Sequence, residues 1–267
     1  MAETAGDVLR NPVKDKLARG EVVASMTVRL VRNVEIAAIA KTAGFDTLYI
    51  DAEHSSFSLE TTGQICIAAL AVGIAPFVRV PSHRPEHVSR VLDGGALGVI
   101  APHVRSAEEA RAVVRAAKFA PLGDRSAAGA LPHLQYRSFP PAEANAALND
   151  ATMVIVQCES AEFLERADEI MGVDGVDMAL IGTNDLLADW GLTGQYGHAR
   201  VRDAYARVIA AARRHGKHVG VGGLATRPDL AAAFVRMGAR YVSTGTDLAF
   251  LMAACAAKAK EVREMAV

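Results

Sequence analysis

A (β/α)8 barrel is the α/β fold this 267-residue sequence predicts, and three observations predict it. Short β-branched apolar runs alternate with longer Ala-rich segments through most of the chain. The runs are nearly continuous rather than alternating apolar with polar, the mark of parallel strands buried on both faces. Polar residues collect at the C-terminal ends of those runs, the end at which a barrel of this kind carries its chemistry. A doubly wound open sheet is the alternative arrangement of the same units.

Taken in order, the strands are expected at Val22–Val28, Thr47–Asp51, Pro76–Val80, Gly98–Pro102, Met153–Cys158, Asp177–Ile181, His218–Val221 and Tyr241–Ser243. The helices between them are expected at Val34–Ala43, Leu59–Val72, Pro85–Asp93, Ala107–Phe119, Ala161–Met171, Val201–His215, Arg227–Met237 and Leu248–Glu264. Ser58 before Leu59-Glu60 and Ser106 before Ala107-Glu108-Glu109 supply an acceptor and negative charge to the first turn of a helix. Pro121–Asp150 is too long for a barrel connection and holds no clear strand. Such a segment is expected to be functional or to form contacts between subunits. The whole chain, 1–267, reads as one domain.

The composition, 51% hydrophobic and 22% charged with a formal net charge of −1, is that of an ordinary globular protein. It carries no electrostatic footprint for nucleic acid or an anionic membrane. Cys66, Cys158 and Cys255 lack metal or redox spacing and suggest a reducing compartment. The opening stretch MAETAGDVLRNPVKDKLARG has no apolar core of a secretion signal. The longest nearly apolar run, Ile65–Val78, is broken by Gly73 and Pro76 and falls short of the roughly 18–20 residues that span a bilayer. A cytoplasmic location is expected.

The polar strand tips are specific. The second strand ends in Asp51-Ala52-Glu53-His54, the third carries Arg79, and the fourth ends near His103. The fifth ends in Gln157 and Glu159, and the sixth runs into Thr183-Asn184-Asp185. Each has a plainer role open to it. Arg79 could serve a structural ion pair, Glu159 and Asp185 could cap the helices that follow them, and His103 reads as a core or supporting histidine. Together, Glu159 and Asp185 on adjacent strand ends make a hard-oxygen pair suited to a divalent cation with waters and substrate completing its shell. GVGG at 220–223 is not a dinucleotide motif, although loops after the last two barrel strands often bind phosphate.

As an ordered set, DAEH at 51–54, VRV at 78–80, VLDGGALGVIAPHV at 91–104, PLGDRS at 121–126, QCES at 157–160 and IGTNDL at 181–186 resemble the metal-dependent, class II pyruvate aldolases of the HpcH/HpaI type. The resemblance covers nearly the whole chain from about Arg19. It implies a barrel of the phosphoenolpyruvate/pyruvate-binding type whose last helix is exchanged between partners, assembled as a hexamer, a trimer of dimers. It further implies that a 4-hydroxy-2-oxo acid is cleaved reversibly to pyruvate and an aldehyde through a pyruvate enolate. A divalent cation, Mg2+, Mn2+ or Co2+, would be held by Glu159 and Asp185, and Arg79 would stabilise the enolate. His54 would act as base with support from Asp51 or Asp93. Gln157 and the turn Gly182-Thr183-Asn184 would hold the pyruvate carboxylate. Two departures, Thr183-Asn184 in place of Pro and a small residue, and Ser55-Ser56 where a proline often follows the histidine, touch the substrate pocket and leave the metal and base intact.

Three rivals stand beside this reading. One is another enolate enzyme on the same platform, an oxaloacetate decarboxylase or a carbon–carbon-forming synthase. A second is a non-catalytic binding protein. The third, a Schiff-base aldolase, needs a desolvated lysine at a strand tip. Lys14, Lys16, Lys41, Lys118, Lys217, Lys258 and Lys260 all fall elsewhere.

Overall fold

The computed structural model describes residues 3–265. Eight parallel strands close on themselves: β1 Val23–Val28, β2 Thr47–Asp51, β3 Ala75–Arg79, β4 Gly98–Ala101, β5 Met153–Cys158, β6 Met178–Gly182, β7 His218–Gly222 and β8 Tyr241–Ser243. Each pairs with the next, and β8 returns to β1 through Val23↔Tyr241 and Ala24↔Val242. That closing pair excludes the open sheet. The strands begin and end within one residue of the expected positions.

Period-2 alternation along each strand explains why the runs are apolar throughout. One set, including Leu48, Ile50, Val78, Val99, Val154, Val156, Ala179, Ile181, Val219 and Val221, packs outward with the surrounding helices. The other, including Tyr49, Phe77, Ile100, Met153, Ile155, Met178, Leu180 and Tyr241, fills the barrel interior. Followed towards the C-terminal rim, the interior series runs out of apolar residues. After Tyr49 comes Asp51, after Phe77 Arg79, after Ile155 Gln157, after Leu180 Gly182 and after Tyr241 Ser243. The rim is thus polar because the interior phase of each strand ends in a polar or small residue.

The surrounding helices begin where their caps are. Ser58 Oγ accepts from the Thr61 amide at 3.0 Å, and Ser106 Oγ from the Glu109 amide at 3.2 Å. The expected helix at 161–171 is two helices, Ala161–Glu165 and Ala167–Met171, broken at Arg166. Three further helices, Ala5–Val8, Pro12–Ala18 and Pro141–Ala151, were not expected from the sequence pattern, and the helix after β6, Thr183–Asp189, begins ahead of Asp185 so that Asp185 lies inside it.

The excursion 121–150 packs against the end of its own barrel. It carries a short 3-10 turn, Pro132–Leu134, and leads into the helix Pro141–Ala151. Leu131, Leu134 and Leu148 join the interior cluster together with Leu9, Val13 and Leu17 from the N-terminal segment. Asn11 locks the two pieces by donating to the Ala151 carbonyl at 2.8 Å. This segment stoppers the N-terminal end of the barrel, because an open barrel end would leave Phe77 and its neighbours in water.

The last helix, Asp247–Glu264, is exposed along its length from Leu248 onward, with Phe250, Leu251 and Met252 in water. No helix among the described residues is long and apolar enough to cross a membrane.

Candidate active site

At the C-terminal rim the tips of β1, β2, β3, β5, β6, β7 and β8 surround a cavity of about 410 Å³, lined by Asp51, His54, Arg79, Gln157, Glu159 and Asp185 among others. Strand register makes the first contact. Asp51 and Arg79 are directly paired residues of β2 and β3, and both lie on the interior phase. Arg79 Nε donates to Asp51 Oδ1 at 3.0 Å and Nη2 to Oδ2 at 2.6 Å, a two-pronged pair. Arg79 Nη1 also stands 2.9 Å from Glu53 Oε2, and its guanidinium lies 5.5 Å from the Tyr49 ring centroid.

Asp51 is fully buried and has a second task. Its Oδ1 accepts from the Glu53 and His54 amides at 3.1 Å each, so the carboxylate shapes the turn that follows β2. Burial pushes Asp51 up. The Arg79 fork, the His54 amide and nearby Arg29 outweigh burial, and the carboxyl is held below its ordinary value. Arg79 is likewise disfavoured as a cation by burial, but Tyr49, Asp51 and Glu53 around it raise its pKa.

Glu159 is buried on the opposite side of the rim. Its Oε1 accepts from Gln157 Nε2 at 2.8 Å and its Oε2 from the His103 amide at 3.1 Å. A Cβ on Gly182 would lie 2.7 Å from Glu159 Oε1, so only glycine there lets the carboxylate sit at the tip of β6. Burial raises the Glu159 pKa, and the neighbouring charge of Asp185 raises it further against the pull of His103 and Arg79. The Gln157 Oε1 atom is buried without a hydrogen-bond partner. Two carboxylates short of positive charge beside an unpartnered amide oxygen fit an oxygen-loving divalent cation. No group of three or more His, Cys, Asp or Glu side chains among the described residues could hold a metal by itself, so a cation here would complete its shell with water and substrate.

The structure also separates residues that the sequence grouped. Asp93 ends the helix Pro85–Asp93, which leads into the start of β4, so within the chain it lies at the N-terminal end of the barrel. There its Oδ1 accepts from Arg125 Nη2 at 2.7 Å. It cannot reach His54 of the same chain. Asp51 is near His54 but bonds its amide and not its ring, because the Arg79 fork and the 53–54 amides already occupy the carboxylate. The acid nearest the His54 ring is Glu53, with Oε2 at 3.6 Å from Nε2. Thr183 is buried, and its hydroxyl donates to the Gly222 carbonyl at 2.7 Å and meets the Tyr205 hydroxyl at 2.9 Å. Its side chain therefore ties β6 to β7 and leaves Gly182 and Asn184 to line the cavity.

His103 is no core residue. Its backbone is left-handed, φ 55°, which aims the amide at Glu159. Its exposed ring spans two acids, Nε2 at 3.0 Å from Glu53 Oε1 and Nδ1 at 3.3 Å from Glu159 Oε2. Glu53 belongs to the rim equally, and its place in DAEH was the available signal. Arg29, at the tip of β1, lines the cavity as well. It follows an apolar run as the other tip residues do, but no motif marks it. Lys118 departs from expectation in one respect. Burial lowers its pKa to about 8, yet it bonds the Asn149 and Thr152 carbonyls at the N-terminal end of β5, away from the cavity.

The comparisons with known proteins agree with this geometry. The sequence profile described as HpcH/HpaI aldolase/citrate lyase matches residues 29–254. The chain is 43% identical over 216 residues, 80% of each chain, to 4-hydroxy-4-methyl-2-oxoglutarate aldolase tasA of Hapsidospora irregularis. It is 34% identical over 243 residues, 91% of this chain and 90% of the relative, to 4-hydroxy-2-oxo-heptane-1,7-dioate aldolase of Klebsiella pneumoniae. Among solved structures, an HpcH/HpaI aldolase from Desulfitobacterium hafniense superposes with a TM-score of 0.89 at 33% identity, covering 96% of this chain and 97% of that one. A barrel whose rim gathers a buried arginine–carboxylate pair, a histidine and a second pair of carboxylates, and whose sequence matches over this extent, belongs to the HpcH/HpaI aldolase/citrate lyase family of enzymes.

Proposed function

We propose that the chain is a pyruvate aldolase that cleaves a 4-hydroxy-2-oxo acid into pyruvate and a second carbonyl compound, and runs the reverse addition. The observation that carries this is the pairing, across one cavity, of a buried Arg79 with the carboxylates Glu159 and Asp185. An enolate needs positive charge fixed at its oxygen, and the rim supplies it on one side while offering a cation seat on the other.

Glu159 and Asp185 would hold a divalent cation, Mg2+, Mn2+ or Co2+, which when bound supplies Lewis-acid stabilisation of the developing negative charge. Arg79 commits two of its five N–H groups to Asp51 and stands in ion-pair contact with Glu53, which leaves N–H groups for the substrate oxygen. Its rigid fork costs no rearrangement as charge develops. Gln157, Gly182 and Asn184 line the side of the cavity next to Glu159 and orient the 2-oxo acid carboxylate. His54, exposed and free to reach into the cavity, takes the proton of the 4-hydroxyl. The C3–C4 bond then breaks, its electron pair moves into the enolate, the carbonyl product leaves, and the enolate takes up a proton at C3 to become pyruvate. In synthesis the same histidine returns the proton. Asp51 is a positioning residue, since its bonds to the 53–54 amides set where His54 stands.

The exposed apolar helix Asp247–Glu264 supports assembly. Exchange of this helix between partners, giving a hexamer built as a trimer of dimers, covers the face that a lone barrel leaves in water. The protein would work in the cytoplasm on small molecules. The experiment is incubation with pyruvate and a panel of aldehydes, with and without chelator. Aldol products that vanish on chelation and return with Mg2+, Mn2+ or Co2+ are expected. Product formation that survives chelation, or decarboxylation of oxaloacetate as the sole activity, would refute the reading.

A further inference from the structure

We propose that Arg29 reads a carboxylate attached to the carbonyl carbon of the acceptor, so that the second product of cleavage is itself a 2-oxo acid or glyoxylate. The proposal rests on the aldolase reading above. Arg29 stands at the mouth of the cavity. Its Nε lies 3.4 Å from Asp51 Oδ2 and its Nη2 donates to the His54 carbonyl at 3.1 Å. The remaining nitrogen, Nη1, donates to no group among the described residues, and the side chain is 43% exposed. One edge of the guanidinium is thus anchored and the other is open.

The backbone beneath it is held. Buried Asp247, at the start of the last helix, accepts from the amides of Arg29, Leu30 and Val31 at 3.0, 2.9 and 2.8 Å. Those bonds, from a different element, fix the loop after β1. Arg29 is therefore a placed donor and not a wandering surface arginine, and a placed planar fork is what recognises a carboxylate.

Position decides which carboxylate. His54 takes its proton from the hydroxyl on C4, and any substituent on C4 is two bonds from that oxygen. Arg29 is bonded to the same residue, His54, so it flanks the C4 end of the substrate. The pyruvate end faces Glu159 and Gln157. The other guanidinium lining the cavity, Arg79, is paired with Asp51 and gives its remaining donors to the enolate oxygen at the pyruvate end. An anionic group on C4 meets Arg29 as its cationic partner, in a cavity whose charged lining residues other than the two arginines, Asp51, Glu159 and Asp185, are acids.

The test compares two substrates that differ only at C4. 4-Hydroxy-2-oxoglutarate carries a carboxylate there, and 4-hydroxy-2-oxopentanoate a methyl group. Wild type, Arg29→Gln and Arg29→Lys are assayed for pyruvate release on both, with the divalent cation supplied. The carboxylate substrate should be preferred by the wild type. Arg29→Gln should lower the ratio of the two kcat/KM values by about 10- to 100-fold, the worth of one hydrogen bond to a charged group. The loss should fall mainly on KM, and Arg29→Lys should recover part of it. A variant that slows both substrates by the same factor would show that Arg29 acts only through Asp51 and His54, and would overturn the proposal. So would a wild type that prefers the methyl substrate. A wild type that cleaves neither, nor any aldol in the panel above, would overturn the aldolase reading instead.

Discussion

Acid should destabilise this protein through one buried histidine. His133 sits in the 3-10 turn of the barrel stopper, 5% exposed, with Nε2 donating to the Ala96 carbonyl at 2.9 Å and Nδ1 buried without a partner. Burial first, and Arg125 nearby, lower its pKa from 6.5 to about 4 against the opposing pull of the Ala96 carbonyl. The folded protein therefore holds His133 neutral where the unfolded chain has already taken up a proton. Between pH 6.5 and 4 the unfolded state binds more protons, so stability is full above the upper limit and falls as pH drops through the window. At about 1.4 kcal/mol per pH unit the loss amounts to roughly 3 kcal/mol. For a chain of this size that is roughly 6–12 °C in melting temperature. His133→Gln keeps a donor for Ala96 and removes the titration. Melting curves of both proteins from pH 7.5 to 4, at one protein concentration, isolate the histidine, because the carboxylates titrate alike in each. The wild type should lose several degrees more than the variant across that window. Parallel curves would refute the reasoning, and so would a histidine that titrates near 6.5 by NMR.

Arg79→Lys keeps a charge but loses the two-pronged pair with Asp51, and kcat should fall by about 100- to 1,000-fold, with a smaller change in KM. Steady-state kinetics with saturating metal would show this, and an unchanged kcat would make Arg79 purely structural. Glu159→Ala and Asp185→Ala should each abolish calorimetric Mn2+ binding and metal-dependent activity while the far-UV circular dichroism stays that of the wild type. Light scattering at micromolar concentration should return a hexamer, and a monomer would show that the exposed last helix stays uncovered.

The sequence by itself determined the barrel. Strand positions and the polar rim depend on patterns within a few residues: an apolar run, its period of two, the polar residue on which its interior phase ends. That is why Asp51, Arg79, Gln157, Glu159 and Asp185 were legible as rim residues before any coordinates. What those residues bond to was decided by the tertiary structure, because each partner comes from another strand or from a loop far along the chain. Asp51 is claimed by Arg79 of β3 and so does not reach the His54 ring. Thr183 turns its hydroxyl to the Gly222 carbonyl of β7. His103, a core or supporting histidine by pattern, spans Glu53 and Glu159 because a left-handed turn swings it out. Asp93 and the desolvated Lys118 fall at the opposite end of the barrel because helices return the chain to the start of the next strand. Arg29 becomes a member of the site only when Asp247, 218 residues away, fixes its loop against the rim. Local pattern sets which face and which end a residue occupies, whereas pairing is set by closure of the barrel.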